Sequence, residues 1–122
     1  MSRKRGFAFP GQGSQSVGML LEYFKQSKIF NSIFDISKEV LGIDFKELIN
    51  EGTPEQLSST ETTQPLLLTS NHALWKSTQL NPDQVCLMAG HSLGEYSAYV
   101  AAETISFEDA LHLVTLRAKY MQ

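Results

Sequence analysis

The stretch Val85-Cys86-Leu87-Met88-Ala89-Gly90-His91-Ser92-Leu93-Gly94-Glu95-Tyr96-Ser97-Ala98-Tyr99 decides the fold. A short apolar run stops at Gly90, Ser92 stands between two glycines as G-x-S-x-G, and a small-residue helical pattern follows at once. That order reads as strand, sharp turn and helix: a nucleophile elbow, which holds a serine in strained backbone with its hydroxyl exposed. Gly90 and Gly94 suit it because strand and helix pack too closely there for a Cβ. The helix after Ser92 aims free backbone N–H groups and its positive dipole end at the point where an oxyanion would form. A plainer reading competes, since Ser92-x-x-Glu95 also has the form of a capping box. The flanking glycines and the strand running straight into the serine favour the nucleophile.

Outward from the elbow, the chain alternates helical patterns with one more strand. Gly6-Phe7-Ala8-Phe9 reads as a short buried strand, closed by Pro10 and the turn Gly11-Gln12-Gly13-Ser14-Gln15. Helical spacing of apolar residues runs from Val17 to Phe24, and again from Ile29 to Leu41, with Gly42 as the C-terminal glycine. Ile43, Phe45, Leu48 and Ile49 mark a short helix that stops at Gly52. Thr53-Pro54-Glu55-Gln56 starts another, with Thr53 as N-cap, Pro54 at the first position and Gln56 at the third. Pro65 opens a longer helix that ends near Leu80, before the turn Asn81-Pro82-Asp83. The elbow helix runs from Leu93 to about Ala102, and Ser106 caps a last helix with Asp109 at its third position. That helix is still running at Gln122. Two strands read as buried parallel strands, which need neighbours on both sides, so the chain reads as the front part of a larger α/β domain.

Composition bounds the function. In 122 residues, 13 acids against 10 bases give a net charge of −3, which speaks against a nucleic-acid partner. The one basic cluster, Arg3-Lys4-Arg5, precedes too short an apolar stretch for a signal peptide, and no run approaches membrane-spanning length. The expected compartment is the cytoplasm. The single cysteine, Cys86, has no disulfide partner and reads as a small buried hydrophobe in its strand.

A serine nucleophile needs a base, and the chain offers His72, His91 and His112. His91 neighbours Ser92 around a sharp turn, so it reads as lining the pocket. His72 and His112, flanked by core positions, read as satisfied structural histidines. No base is evident. The Gly11–Gln15 loop lacks the phosphate-loop pattern, and Ser16 stands where G-x-G-x-x-G needs its third glycine. If the strands before Pro10 and Gly90 are parallel neighbours, this loop meets the elbow and its N–H groups complete an oxyanion hole. Arg117 falls on or beside the apolar stripe of the last helix, where an unpaired charge is costly. It either forms an internal salt bridge to Glu95 or Glu103, or holds a substrate carboxylate with its planar fork.

Phe9-Pro10-Gly11-Gln12-Gly13-Ser14-Gln15, Thr63-Gln64-Pro65, Gly90-His91-Ser92-Leu93-Gly94-Glu95-Tyr96-Ser97-Ala98 and Leu116-Arg117-Ala118-Lys119-Tyr120-Met121-Gln122 together resemble the malonyl-CoA:acyl carrier protein transacylases, from about Phe7 to Gln122. The resemblance implies that residues 1–122 form the N-terminal part of an α/β-hydrolase-like large subdomain, with a short parallel sheet and the elbow. The family's small ferredoxin-like subdomain and its catalytic histidine have no counterpart in this sequence. It implies Ser92 as the nucleophile that takes malonyl from malonyl-CoA and passes it to the phosphopantetheine thiol of acyl carrier protein. The N–H groups of Gln12 and Leu93 would form the oxyanion hole, Arg117 would clamp the malonate carboxylate, and Gln64 and His91 would line the pocket. CoA enters as substrate, with no cofactor or metal, and a monomer is expected. Lacking the histidine, the chain is expected to have little or no activity alone. A start within a few residues of Met1 favours the free-standing enzyme over a megasynthase domain. Two other classes remain open: a serine esterase of α/β-hydrolase type, which has no need of Arg117, and a non-catalytic fragment that binds acyl-CoA or carrier protein.

Overall fold

A computed structural model describes residues 5–121. Arg3, Lys4 and Gln122, on which two of the sequence readings fall, lie outside the described residues. Strand β1 (Arg5–Phe9) leads into helices α1 (Leu21–Gln26), α2 (Lys28–Leu41), α3 (Phe45–Glu51), α4 (Pro54–Ser58) and α5 (Thr60–Ser77). A 3₁₀ turn (Pro82–Gln84) feeds strand β2 (Val85–Gly90), followed by α6 (Leu93–Ala101) and α7 (Phe107–Met121). β1 and β2 pair in parallel, with Phe7 opposite Met88 and Phe9 opposite Gly90, and one register shift between Arg5 and Gly6. Parallel neighbours need a long crossover, and α1–α5 supply it.

Helix α5 is the centre of the molecule. Every residue from Thr63 to Ala73 is buried, as expected of a helix enclosed on all sides. It packs against α2, α6 and α7. The main core gathers Phe24, Phe30 and Phe34 with Phe45, Leu66, Leu68, Leu111 and Val114. A second cluster, Phe9, Trp75 and Ala101, joins the sheet to α5 and α6, with Phe7 edge-on to Trp75 at 5.2 Å.

Several local expectations hold. Thr53 and Gln56 form the reciprocal capping box, with Pro54 inside the first turn. Ser106 Oγ accepts from the Asp109 N–H at 3.1 Å. Gly42 closes α2 in the left-handed region at φ 73°.

Others are corrected. The helical spacing from Val17 yields a helix only from Leu21, because Gly18 and Leu20 take positive φ (77° and 64°) and the Gly18 N–H is drawn to the Ile49 carbonyl at 2.7 Å. Pro65 does not open its helix. α5 starts at Thr60, with the Thr62 and Thr63 N–H groups on the Ser59 carbonyl. Pro65 is then an interior residue, at the sixth position of α5, and lacks the N–H that an interior helical residue donates. α5 also ends sooner than Leu80, at Ser77, since Gln79 turns to φ 57°. The strands are less buried than they read: β1 fully buries only Phe9, and Leu87 in β2 is 63% exposed. Cys86 is exposed as well, because no described element covers that part of β2. His112 is exposed on α7. His72 is buried as read but not satisfied: its Nδ1 has no hydrogen-bond partner and its ring stacks on Phe107 at 4.5 Å. Desolvation, with a smaller push from Lys76, lowers its pKa to about 4.

Candidate active site

The parallel pair brings two loops together at the carboxyl ends of β1 and β2. Ser92 leaves β2 at φ 56°, ψ −115°, a backbone state outside the left-handed helical basin. Such conformations cost on the order of 1–3 kcal/mol in a non-glycine residue and persist only where the surroundings enforce them. The glycines do the enforcing. A Cβ on Gly90 would lie 2.0 Å from the Gly94 carbonyl, and one on Gly94 would lie 2.1 Å from the Phe9 carbonyl oxygen. Strand, turn and helix therefore meet backbone to backbone.

The capping reading of Ser92 is set aside, since its side chain makes no cap hydrogen bond to α6. Backbone groups close the turn instead: the His91 carbonyl accepts from Gly94 N–H and the Ser92 carbonyl from Glu95 N–H, both at 3.0 Å. The exposed Ser92 hydroxyl accepts from Arg117 Nη2 at 3.1 Å. Arg117 Nη1 donates to Gln64 Oε1 at 2.5 Å, and Gln64 Nε2 in turn reaches Met121 Sδ at 3.3 Å. The internal salt bridge considered for Arg117 is absent: among the described residues the ion pair is Lys38–Asp44, at 3.4 Å. Ser92, Arg117 and Gln64, far apart in sequence, thus form one connected group. Gln64 is fully buried on α5, so its amide holds a fixed position.

The Gly11–Gln15 loop arrives beside them. A Cβ on Gly11 would meet the His91 carbonyl oxygen at 2.7 Å and the Leu93 nitrogen at 3.7 Å, which places the loop backbone against the elbow. Gln12 is exposed, and its side-chain amide donates to Thr60 Oγ1 at 3.2 Å. Leu93 is the first residue of α6, with its side chain buried and its N–H among the unpaired first-turn donors of the helix. His91 is exposed beside the serine. No hydrogen bond joins Ser92 Oγ to a histidine or carboxylate among the described residues.

Two residues near the site escaped the sequence reading. Asn71, buried on α5, donates to the Pro10 carbonyl at 3.1 Å and to Ser97 Oγ at 3.0 Å, and so ties the β1 loop to α6. A polar stretch, Thr69-Ser70-Asn71-His72, set between apolar Leu66–Leu68 and Ala73–Trp75 was the signal for it. Tyr96 lies under Arg117, with the guanidinium carbon 5.4 Å from its ring centroid.

A serine at a strained elbow, backed by a helix N-terminus and an arginine, suits acyl capture, and the family follows from the whole sequence. Residues 6–122 match the family described as the acyl transferase domain. The chain belongs to that family. A malonyl CoA-acyl carrier protein transacylase of Salmonella typhimurium is 50% identical to this chain over 117 residues, 95% of the chain and 38% of that protein. The crystal structure of an acyl carrier protein S-malonyltransferase from Vibrio cholerae is 45% identical, with a TM-score of 0.91, and is matched over 98% of this chain and 40% of that one. A type II PKS acyl-carrier protein in complex with its malonyl-transacylase gives the same TM-score of 0.91 at 42% identity, over 98% of this chain and 39% of that one. The chain therefore spans about two-fifths of the length of these relatives.

Proposed function

We propose that the chain is part of an acyltransferase domain, residues 1–122, that carries the nucleophile and carboxylate-binding portion of a malonyl-CoA:acyl carrier protein transacylase. The observation that carries this reading is the Arg117 fork, hydrogen-bonded at once to Ser92 Oγ and Gln64 Oε1. An ester hydrolase needs no cation at the nucleophile, whereas an acyl group ending in a carboxylate does. Ser92 Oγ attacks the thioester carbonyl of malonyl-CoA, its proton passes to a base, and the carbonyl oxygen becomes an oxyanion facing the N–H groups of Gln12 and Leu93. Collapse expels the CoA thiolate and leaves malonyl esterified to Ser92. The carrier protein's phosphopantetheine thiol then attacks that ester and restores the hydroxyl. Arg117 grips the malonate carboxylate throughout, and His91 lines the open side of the pocket. Fixing both ends of the acyl group favours a positioned thiol over stray water.

The reaction so read needs no cofactor or metal, since the CoA thioester is a substrate. The named partners of the relatives, malonyl-CoA and acyl carrier protein, support the assignment of both to this chain. An α/β-hydrolase-like large subdomain, monomeric state and cytoplasmic location belong to the same proposal. Among the described residues no helix is long and apolar enough to cross a membrane.

With no histidine or carboxylate on Ser92 Oγ among the described residues, the proposal expects acylation to be slow. Incubation with radiolabelled malonyl-CoA should give slow labelling at Ser92 that is accelerated by imidazole, weak with acetyl-CoA, and absent in Ser92→Ala. Stoichiometric labelling on mixing would refute the missing base. Equal labelling by acetyl-CoA would refute the carboxylate clamp.

A further inference from the structure

We propose that Tyr96 is a positioning residue that sets selectivity for carboxylate-bearing acyl groups by seating the Arg117 guanidinium over its ring. The inference rests on the proposed reading of Arg117 as a carboxylate clamp. The Arg117 carbon Cζ lies 5.4 Å from the Tyr96 centroid, inside the roughly 6 Å over which a cation is drawn to an aromatic face. Tyr96 is half-buried and packs against the main core, so the ring is a fixed platform. It lies four residues beyond Ser92, in the first turn of α6, so the residue that precedes the helix and the platform within it share one end of the element.

The chemistry of the seat explains why an aromatic ring serves here. A guanidinium has five N–H donors. Gln64 and Ser92 take two of them. A glutamate partner would take more and would occupy the edge that a substrate carboxylate needs. A ring attracts the charge through its face and consumes no donor, so the remaining N–H groups stay available in the plane of the fork. The seat matters most after acylation, when the Ser92 oxygen is part of an ester and Gln64 and Tyr96 are left to hold the fork.

Isothermal titration of the full chain with malonyl-CoA and with acetyl-CoA measures the selectivity as a ratio of Kd values. Tyr96→Phe should keep the ratio. Tyr96→Leu, and a trifluorinated phenylalanine at position 96 that keeps the shape but weakens the ring's negative face, should lower it by roughly two- to fivefold. Acetyl-CoA affinity and thermal midpoint should stay near wild type in the fluorinated variant, which a purely packing role would not distinguish from Tyr96→Phe. In an Arg117→Met background the same changes at position 96 should leave the ratio unmoved. An unchanged ratio in the leucine and fluorinated variants overturns the proposal, as does an equal loss in Tyr96→Phe or a full effect without Arg117. A wild-type chain that shows no preference for malonyl-CoA refutes the clamp itself, a different failure.

Discussion

Gly94→Ala sets two effects of opposite sign against each other. Gly94 is the second residue of α6, where alanine is favoured over glycine by up to about 1 kcal/mol. Against that gain, the new Cβ would lie 2.1 Å from the Phe9 carbonyl oxygen, 2.9 Å from its carbon and 3.2 Å from the Pro10 oxygen. All three are backbone atoms, so no side chain can rotate aside. An ordinary C···O contact is about 3.3 Å, and the end of β1 and the start of α6 must therefore part by roughly 1 Å. Overpacking of this kind costs about 1–3 kcal/mol, towards the upper end where only backbone can yield. The clash wins, with a net loss of about 2 kcal/mol. Urea denaturation followed by circular dichroism measures it, with Gly6→Ala as the matched control. A Cβ on Gly6 meets nothing nearer than the Leu87 carbonyl oxygen at 3.8 Å, so that variant should be neutral or gain up to about 1 kcal/mol. If Gly94→Ala proves as stable as wild type, or the two alanines behave alike, the backbone-to-backbone elbow is wrong.

Other consequences are equally open to measurement. Because burial lowers the His72 pKa from 6.5 to about 4, the folded state prefers it neutral. That preference is intact above pH 6.5 and is lost as pH falls towards 4, about 3 kcal/mol in all. His72→Leu should remove this part of the acid sensitivity, read as the difference between the two pH–stability profiles. Arg117→Met leaves the fully buried Gln64 Oε1 without its donor and should cost about 1–3 kcal/mol in ligand-free thermal or urea unfolding. Cys86 should react with a colorimetric thiol reagent in the native chain as fast as in urea, within a few-fold. Thr53→Ala removes the reciprocal cap of α4 and should cost about 1 kcal/mol in the same unfolding assay.

What the sequence made legible was local or was tied to a close approach. The elbow, the capping box at Thr53, the Ser106 cap and the glycine closing α2 each depend on residues within a few positions of one another. The meeting of the Gly11 loop with the elbow was legible as a condition on parallel pairing, and the pairing holds. The misreadings share another cause. Pro65 carries the local signature of a first turn, but the Ser59 carbonyl takes the Thr62 and Thr63 N–H groups and buried Thr63 and Gln64 carry α5 back to Thr60. An apolar run such as Val85–Met88 says that a strand can be buried; it does not name what covers it, and Cys86 and Leu87 are open. His72, flanked by core positions, reads as a satisfied structural histidine. Its Nδ1 shows that a ring can be enclosed by Phe107 without a partner for its nitrogen.

Arg117 carries the argument furthest, because the sequence offered two partners for it and the chain uses neither. A glutamate from α6 would have cancelled its charge within the protein. Gln64 and Ser92 are neutral acceptors, and Tyr96 offers a neutral ring. These partners fix the guanidinium beside Ser92, and among the described residues none of them brings a negative charge. On the proposed reading of Arg117 as a clamp, a carboxylate brought in by an acyl group supplies the opposite charge where Ser92 can reach the neighbouring carbonyl. The proposed selectivity would then rest on what Arg117 lacks, and an acyl group without a carboxylate would gain nothing from the fork.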